Sequence, residues 1–171
     1  IGDNPISNYD TYISDMNKTL KDKMFFIDEI KFDVIVDFGC ADGSFLYNLS
    51  KIKKNVKLIG YDLDNEMLNK AKNKLPKNSL LTDNWNEVIN ELSNYKYPLL
   101  NLSSVIHEVY SYSSTIEINR FWEKVFKNNF KFITIRDMIP SLDSTKINIS
   151  NYKEDAKKLR KKSKFKSIIL F

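Results

Sequence analysis

The sequence predicts an α/β fold: an open, mostly parallel twisted sheet with helices on both faces. Three observations predict it. Short β-branched runs recur along the chain, segments with helical spacing separate them, and the runs at 33–36 and 132–135 are almost continuously apolar, as strands buried on both faces are. Strands alternating with helices of about ten residues form right-handed β-α-β units, which place parallel strands side by side.

Taken in order, residues 1–32 mix polar and apolar positions and read as an N-terminal helical segment rather than a signal peptide. The first strand is DVIVDFG, 33–39, and the helix after it, SFLYNLSKI, gathers Phe45, Leu46, Leu49 and Ile52 on one face. VKLIGYD, 56–62, is the second strand, followed by NEMLNKAKNKL with Met67, Leu68, Ala71 and Leu75 aligned and Pro76 closing it. SLLTD, 79–83, precedes a short helix over 86–95, and Pro98 opens the fourth strand, PLLNLSS, 98–104. TIEINRFWEKVF aligns Ile118, Phe121, Trp122 and Val125, and FKFITIRD, 130–137, is the fifth strand. Beyond it, 141–150 reads as a long loop, 151–163 as a basic helix and KSIILF, 166–171, as a last strand. A chain of 171 residues suits one domain, divided into an N-terminal segment (1–32), a core (33–138) and a closing section (139–171).

Composition removes several function classes. One cysteine, Cys40, and one histidine, His107, exclude a disulfide framework and the Cys/His zinc sites, so no metal is expected. No apolar run approaches the ~18 residues of a membrane span, and a reducing cytoplasmic setting is expected. The net charge of +5 is almost all lysine, with arginine only at 120, 136 and 160; lysine is a poorer bidentate reader of phosphates and bases than arginine. The run KKLRKKSKFK, Lys157 to Lys166, reads first as a solvated helix face and second as an RNA-contacting patch. The start at Ile1 and the end at Phe171 inside an apolar run are expected of a segment of a longer protein.

With only four glycines, the chain places two of them, Gly39 and Gly43, directly after the first strand. Glycine there lets a ligand approach the backbone where a helix start offers free N–H donors. The spacing fits neither a Walker loop nor the G-x-G-x-x-G of dinucleotide folds. D-F-G-C-A-D-G resembles instead the D/E-x-G-x-G-x-G loop of class I S-adenosylmethionine-dependent methyltransferases, with Ala41 at the middle glycine. Asp62 ending the second strand, TDNW ending the third, SSVIHEVYSY after the fourth and IRDM after the fifth continue the resemblance from about Phe26 to Met138.

The resemblance implies a Rossmann-like cofactor domain whose cofactor is S-adenosylmethionine. It places Asp37, Gly39, Ala41 and Gly43 on the methionine moiety, Asp62 on the ribose, Asp83 and Trp85 on the adenine, and Ser103 beside the departing methyl. Asp37 and Asp83 also read as ordinary turn or capping residues, and Trp85 equally as a core residue. Cys40 reads as an inert loop residue. His107 and Glu108, just past the fourth strand, are candidates to take a proton from the acceptor, with a packed histidine and a first-turn acid as the alternatives. Arg136 and Asp137 either flank the acceptor or pair with each other. The absence of N/D-P-P-Y/F and of Pro-Cys after the fourth strand argues against the usual methylation of DNA bases, leaving small-molecule, RNA and protein acceptors. The family usually completes its sheet with an antiparallel hairpin, so that hairpin is expected to be incomplete here. The alternative to an enzyme is a catalytically silent module that keeps the fold for binding.

Overall fold

The computed structural model describes residues 20–139 and 164–170. One helical turn, α1 (Leu20–Lys23), is followed by alternating elements: β1 (Val34–Phe38), α2 (Ser44–Ile52), β2 (Lys57–Tyr61), α3 (Asn65–Lys74), β3 (Leu80–Thr82) and α4 (Trp85–Leu92). Then come β4 (Pro98–Ser103), α5 (Ile106–Tyr112), α6 (Thr115–Phe126), β5 (Phe132–Ile139) and β6 (Lys164–Leu170). The expected N-terminal helical segment is described only from Leu20, and the 141–150 loop, the 151–163 helix and most of the Lys157–Lys166 run lie outside the described residues. Among the described residues no helix is long and apolar enough to cross a membrane.

The sheet order is β3-β2-β1-β4-β5-β6; the first five strands are parallel and β6 runs antiparallel to β5. One antiparallel strand at the β5 edge is thus present where an incomplete hairpin was expected. Every residue of β1 is buried, as is all of β4 but Ser103, which is why both strands read as apolar runs rather than alternating ones.

Two apolar layers sandwich the sheet. On one face Ile35, Leu58 and Leu99 meet Phe45, Leu46 and Leu49 of α2, Leu68 and Ala71 of α3, and the segment Phe26–Phe32. On the other, Val34, Val36, Phe38, Ile59, Leu100 and Leu102 meet Val88 and Leu92 of α4, Val109 of α5, and Phe121 and Val125 of α6. Helix starts are set by local chemistry: Asp64 caps α3 by accepting from Glu66 and Met67 N–H, Asn84 caps α4, and Ser114 with Glu117 forms a capping box on α6.

The chain moves outward from β1 to β3, then returns to the other side of β1 as β4. Strand order reverses between β1 and β4, and the carboxyl ends of the strands at such a reversal are the place where open α/β sheets bind ligands.

Candidate functional site at the carboxyl edge of the sheet

The β1 side of the switch point is the loop 39–43. Gly39 and Gly43 have φ of +74° and +73°, and Ala41 takes φ +46° between them. A Cβ at Gly39 would stand 3.1 Å from Val105 Cγ2, and one at Gly43 2.9 Å from Ala71 Cβ, so conformation and space both call for glycine. Ala41 adopts a left-handed turn, at a cost of roughly 1–2 kcal/mol for a residue with a Cβ.

That strained residue is held from a distance. Asp62, past the end of β2, accepts from Ala41 N–H through Oδ2 at 2.7 Å and from Asp64 N–H through Oδ1 at 3.0 Å. Burial pushes its carboxyl above the ordinary range despite these bonds. A carboxylate offers about four lone-pair sites, so Asp62 keeps acceptor capacity after tying the loop.

Asp37, next to last in β1, is a buried side chain whose Oδ1 accepts from Asn101 Nδ2 at 2.8 Å. Parallel pairing sets Asp37 beside Asn101 in register, and Thr134 Oγ1 donates to Asn101 Oδ1 at 2.9 Å, orienting the amide. Burial, only partly offset by Asn101 and Lys23, pushes the Asp37 carboxyl up to about 7. Within the loop, Asp42 accepts from Ser44 Oγ at 2.8 Å and from the Lys74 ammonium. Burial pushes that carboxyl up, but Lys74 and Ser44 outweigh it and hold Asp42 below the usual range. Cys40 is buried and burial raises its thiol well above the ordinary range, so it is protonated and inert, as expected.

The β4 side is Ser103–Glu108. Ser103 Oγ is enclosed and has no hydrogen-bond partner among the described residues. Ser104 has φ +62°, and its N–H donates to Arg136 O at 2.7 Å as the chain turns out of the sheet into α5. Asp137 anchors the start of that helix: its Oδ2 accepts from Ile106 N–H at 2.7 Å and His107 N–H at 3.3 Å, and its Oδ1 lies 2.6 Å from His107 Nδ1. Burial pushes Asp137 up, but its bonds to His107 and to backbone N–H groups hold it below the usual range. It is therefore ionised, His107 Nδ1–H donates to it, and neutral His107 carries its lone pair on Nε2. The bond to Asp137 holds the imidazole above its ordinary range, against the opposing effect of burial. Glu108 is half-buried and raised by that burial, with Asp62 and Asp137 adding to the rise and His107 opposing it.

Arg136 and Asp137 do not pair with each other. Strand alternation sends them to opposite faces: Arg136, 1% exposed, meets Asp22 at 3.5 Å, while Asp137 meets His107. Asp83 stands exposed just past β3. Trp85 sits within the second core layer, its ring centroid 5.1 Å from Tyr61 and 5.5 Å from Phe38, with Nε1 enclosed and without an acceptor among the described residues. Sequence reasoning missed Asn101, the Asp62–Ala41 tether and the pairing of Asp137 with His107. The one available signal was Asp137 at the carboxyl end of an apolar run.

No family model and no curated protein matches the chain in sequence. Solved structures match it in shape. A SAM-dependent methyltransferase from Archaeoglobus fulgidus aligns with a TM-score of 0.58 at 17% identity, over 89% of this chain and 74% of that one. The methyltransferase domain of bacterial CtHen1 aligns with a TM-score of 0.53 at 17% identity, over 74% and 67%. The plantazolicin methyltransferase BpumL, solved with a triazolic desmethylPZN analog and SAH, aligns with a TM-score of 0.51 at 22% identity, over 91% and 60%. The fold is that of the class I S-adenosylmethionine-dependent methyltransferases. At these identities the likeness concerns the methyltransferase fold alone, and the chain spans 49% of the plantazolicin methyltransferase BamL and 60% of BpumL.

Proposed function

We propose that the protein is an S-adenosylmethionine-dependent methyltransferase whose acceptor sheds a proton on methylation. The observation that carries this reading is the tether of Asp62 to Ala41 N–H. It ties the strained 39–43 loop to the end of β2 at the switch point, with the His107–Asp137 pair on the β4 side.

The residues present fit the cofactor. Asp37 and the backbone of Gly39, Ala41 and Gly43 would hold the methionine end. The free acceptor capacity of Asp62 suits the two ribose hydroxyls, and exposed Asp83 suits the adenine amine. Half-buried Trp85, packed against Tyr61 and Phe38, lies two residues on from Asp83 and offers a flat apolar surface for the ring. Ser103 Oγ, enclosed and without a partner among the described residues, has donor and acceptor capacity to spend.

When bound, S-adenosylmethionine supplies a sulfonium methyl with its leaving group already activated. The protein's part is to align the acceptor, exclude water and receive the acceptor's proton. Neutral His107 takes that proton on Nε2, and ionised Asp137 holds the ring in the required tautomer and stabilises the imidazolium. Glu108, raised by burial, is the neighbouring acid able to pass the proton on. Calorimetry with S-adenosylhomocysteine tests the cofactor, and no binding refutes the reading. Turnover of a labelled methyl donor with cell-extract acceptors then separates an enzyme from a silent binding module.

A further inference from the structure

The outer side of the α5–α6 pair leaves a cluster of large hydrophobic side chains in solvent. Val109 of α5 and Phe121 and Val125 of α6 fill the second core layer, whereas Tyr110, Tyr112, Ile116 and Phe126 are 56%, 45%, 65% and 60% exposed. Three rings form one surface: Trp122 Nε1 donates to Tyr110 Oη at 3.0 Å, joining the two helices, and Trp122 and Phe126 stack at 14° with centroids 5.4 Å apart. Rings held in this way lose little freedom when a partner covers them, and Tyr, Trp and Arg are the side chains that anchor interfaces. A chain that stays alone rarely leaves such a patch open.

The charges beside the rings indicate the partner. Helical spacing sets Ile116, Arg120, Glu123 and Lys127 in one row on the exposed side of α6. The signs alternate along the row, so it suits neither a polyanion nor a protein surface of a single sign. Lys127 Nζ donates to Glu123 Oε1 at 2.8 Å, which leaves Oε2 able to accept. Arg120 is exposed and forms neither a hydrogen bond nor an ion pair with any described residue. A second α6 laid antiparallel on the first satisfies the row. A two-fold axis level with residues 121–122 sets Arg120 of each copy beside Glu123 of the other, and Ile116 of each beside Phe126 of the other. Parallel packing would set each charge against its own like.

We propose that the outer side of α5 and α6 is an isologous interface whose occupant is a second copy of this chain, with the two α6 helices antiparallel. The inference does not depend on the methyl-transfer reading.

Sedimentation velocity of the whole chain over a wide range of concentration tests it. The wild type is expected to pass from monomer to dimer as concentration rises. Phe126→Glu, at an exposed ring, is expected to weaken self-association at least tenfold while the circular dichroism spectrum stays native. Arg120→Glu and Glu123→Arg oppose like charges across the axis, and each alone is expected to stay monomeric where the wild type is dimeric. An equimolar mixture of the two is expected to regain the dimer, because one copy then carries two acids and the other two bases at these positions. A defect confined to one folded chain gives no such rescue. A wild type that is monomeric at every concentration overturns the proposal and leaves the face to a different protein. A wild-type dimer indifferent to Phe126→Glu, or a mixture of the charge variants that stays monomeric, overturns it as well.

Discussion

Asp37 gives a prediction whose size follows from its surroundings. Its carboxyl is 5% exposed and pushed from the usual 3.8 up to about 7 by burial that Asn101 and Lys23 offset only in part. Each unit of pKa is worth about 1.4 kcal/mol, so the full penalty is about 4 kcal/mol. The native state holds the proton between these two values while the unfolded chain has lost it, so stability falls as pH rises through that window and the loss is complete above about 7. Asparagine at this position keeps an acceptor for the Asn101 amide and carries no charge to bury. Asp37→Asn should therefore stabilise the folded protein increasingly with pH, by about 2–3 kcal/mol more at pH 8 than at pH 5. Urea unfolding of both proteins at the two pH values measures this, and the difference between them cancels every group the substitution leaves alone. A stability change equal at both pH values, or a variant that weakens relative to the wild type as pH rises, would refute the argument. The same variant should bind S-adenosylhomocysteine more weakly, because Asp37 is a group proposed for its methionine end.

Asp62→Ala removes both the tether to Ala41 N–H and the proposed ribose acceptor, so S-adenosylhomocysteine affinity should fall by about tenfold or more, while circular dichroism keeps the native spectrum. Asp137→Asn should lower the titration midpoint of His107, read without ambiguity by NMR because it is the only histidine in the chain. The stability that protonated His107 draws from Asp137 is present below its ordinary range and is lost as pH rises through the raised value. Methyl transfer, which needs the neutral ring, should rise over that same window, and the profile should move to lower pH in the variant. Gly43→Ala places a Cβ 2.9 Å from Ala71 Cβ at φ +73°, combining left-handed strain with overpacking. It should cost about 2–4 kcal/mol and lower Tm by roughly 4–16 °C; a change under 1 °C would show that α2 and α3 part freely.

The sheet was legible because its strands announce themselves locally. VIVDF and PLLNLS are buried on both faces and so are apolar apart from the paired Asp37 and Asn101 and the terminal Ser103, and α2, α3 and α6 carry one apolar face each. The loop was legible because two positive-φ positions demand glycine, and Asp62 because a strand end is a place that the pattern marks. Trp85 was not: an aromatic after a strand reads alike whether it stacks on a ligand or fills a core, and only the positions of Phe38, Tyr61 and Phe130 put it in the second layer. His107 and Asp137, thirty positions apart, meet because β4 and β5 pair in a register that sets Ser103 beside Arg136, which local patterning does not encode.

By itself the sequence determined the alternation of strand and helix, the bend at 39–43 and the carboxylates that end the strands, because each follows from short-range periodicity and backbone sterics. The tertiary structure alone decided which of those groups are partners: Asp62 with Ala41, Asp137 with His107, Asp37 with Asn101. Those pairings depend on strand order, register and depth of burial. Burial shifts the charge that Asp37 and Glu108 carry, and the bond to Asp137 shifts that of His107 against burial, since the cost of a charge is fixed by the surroundings that folding brings to it.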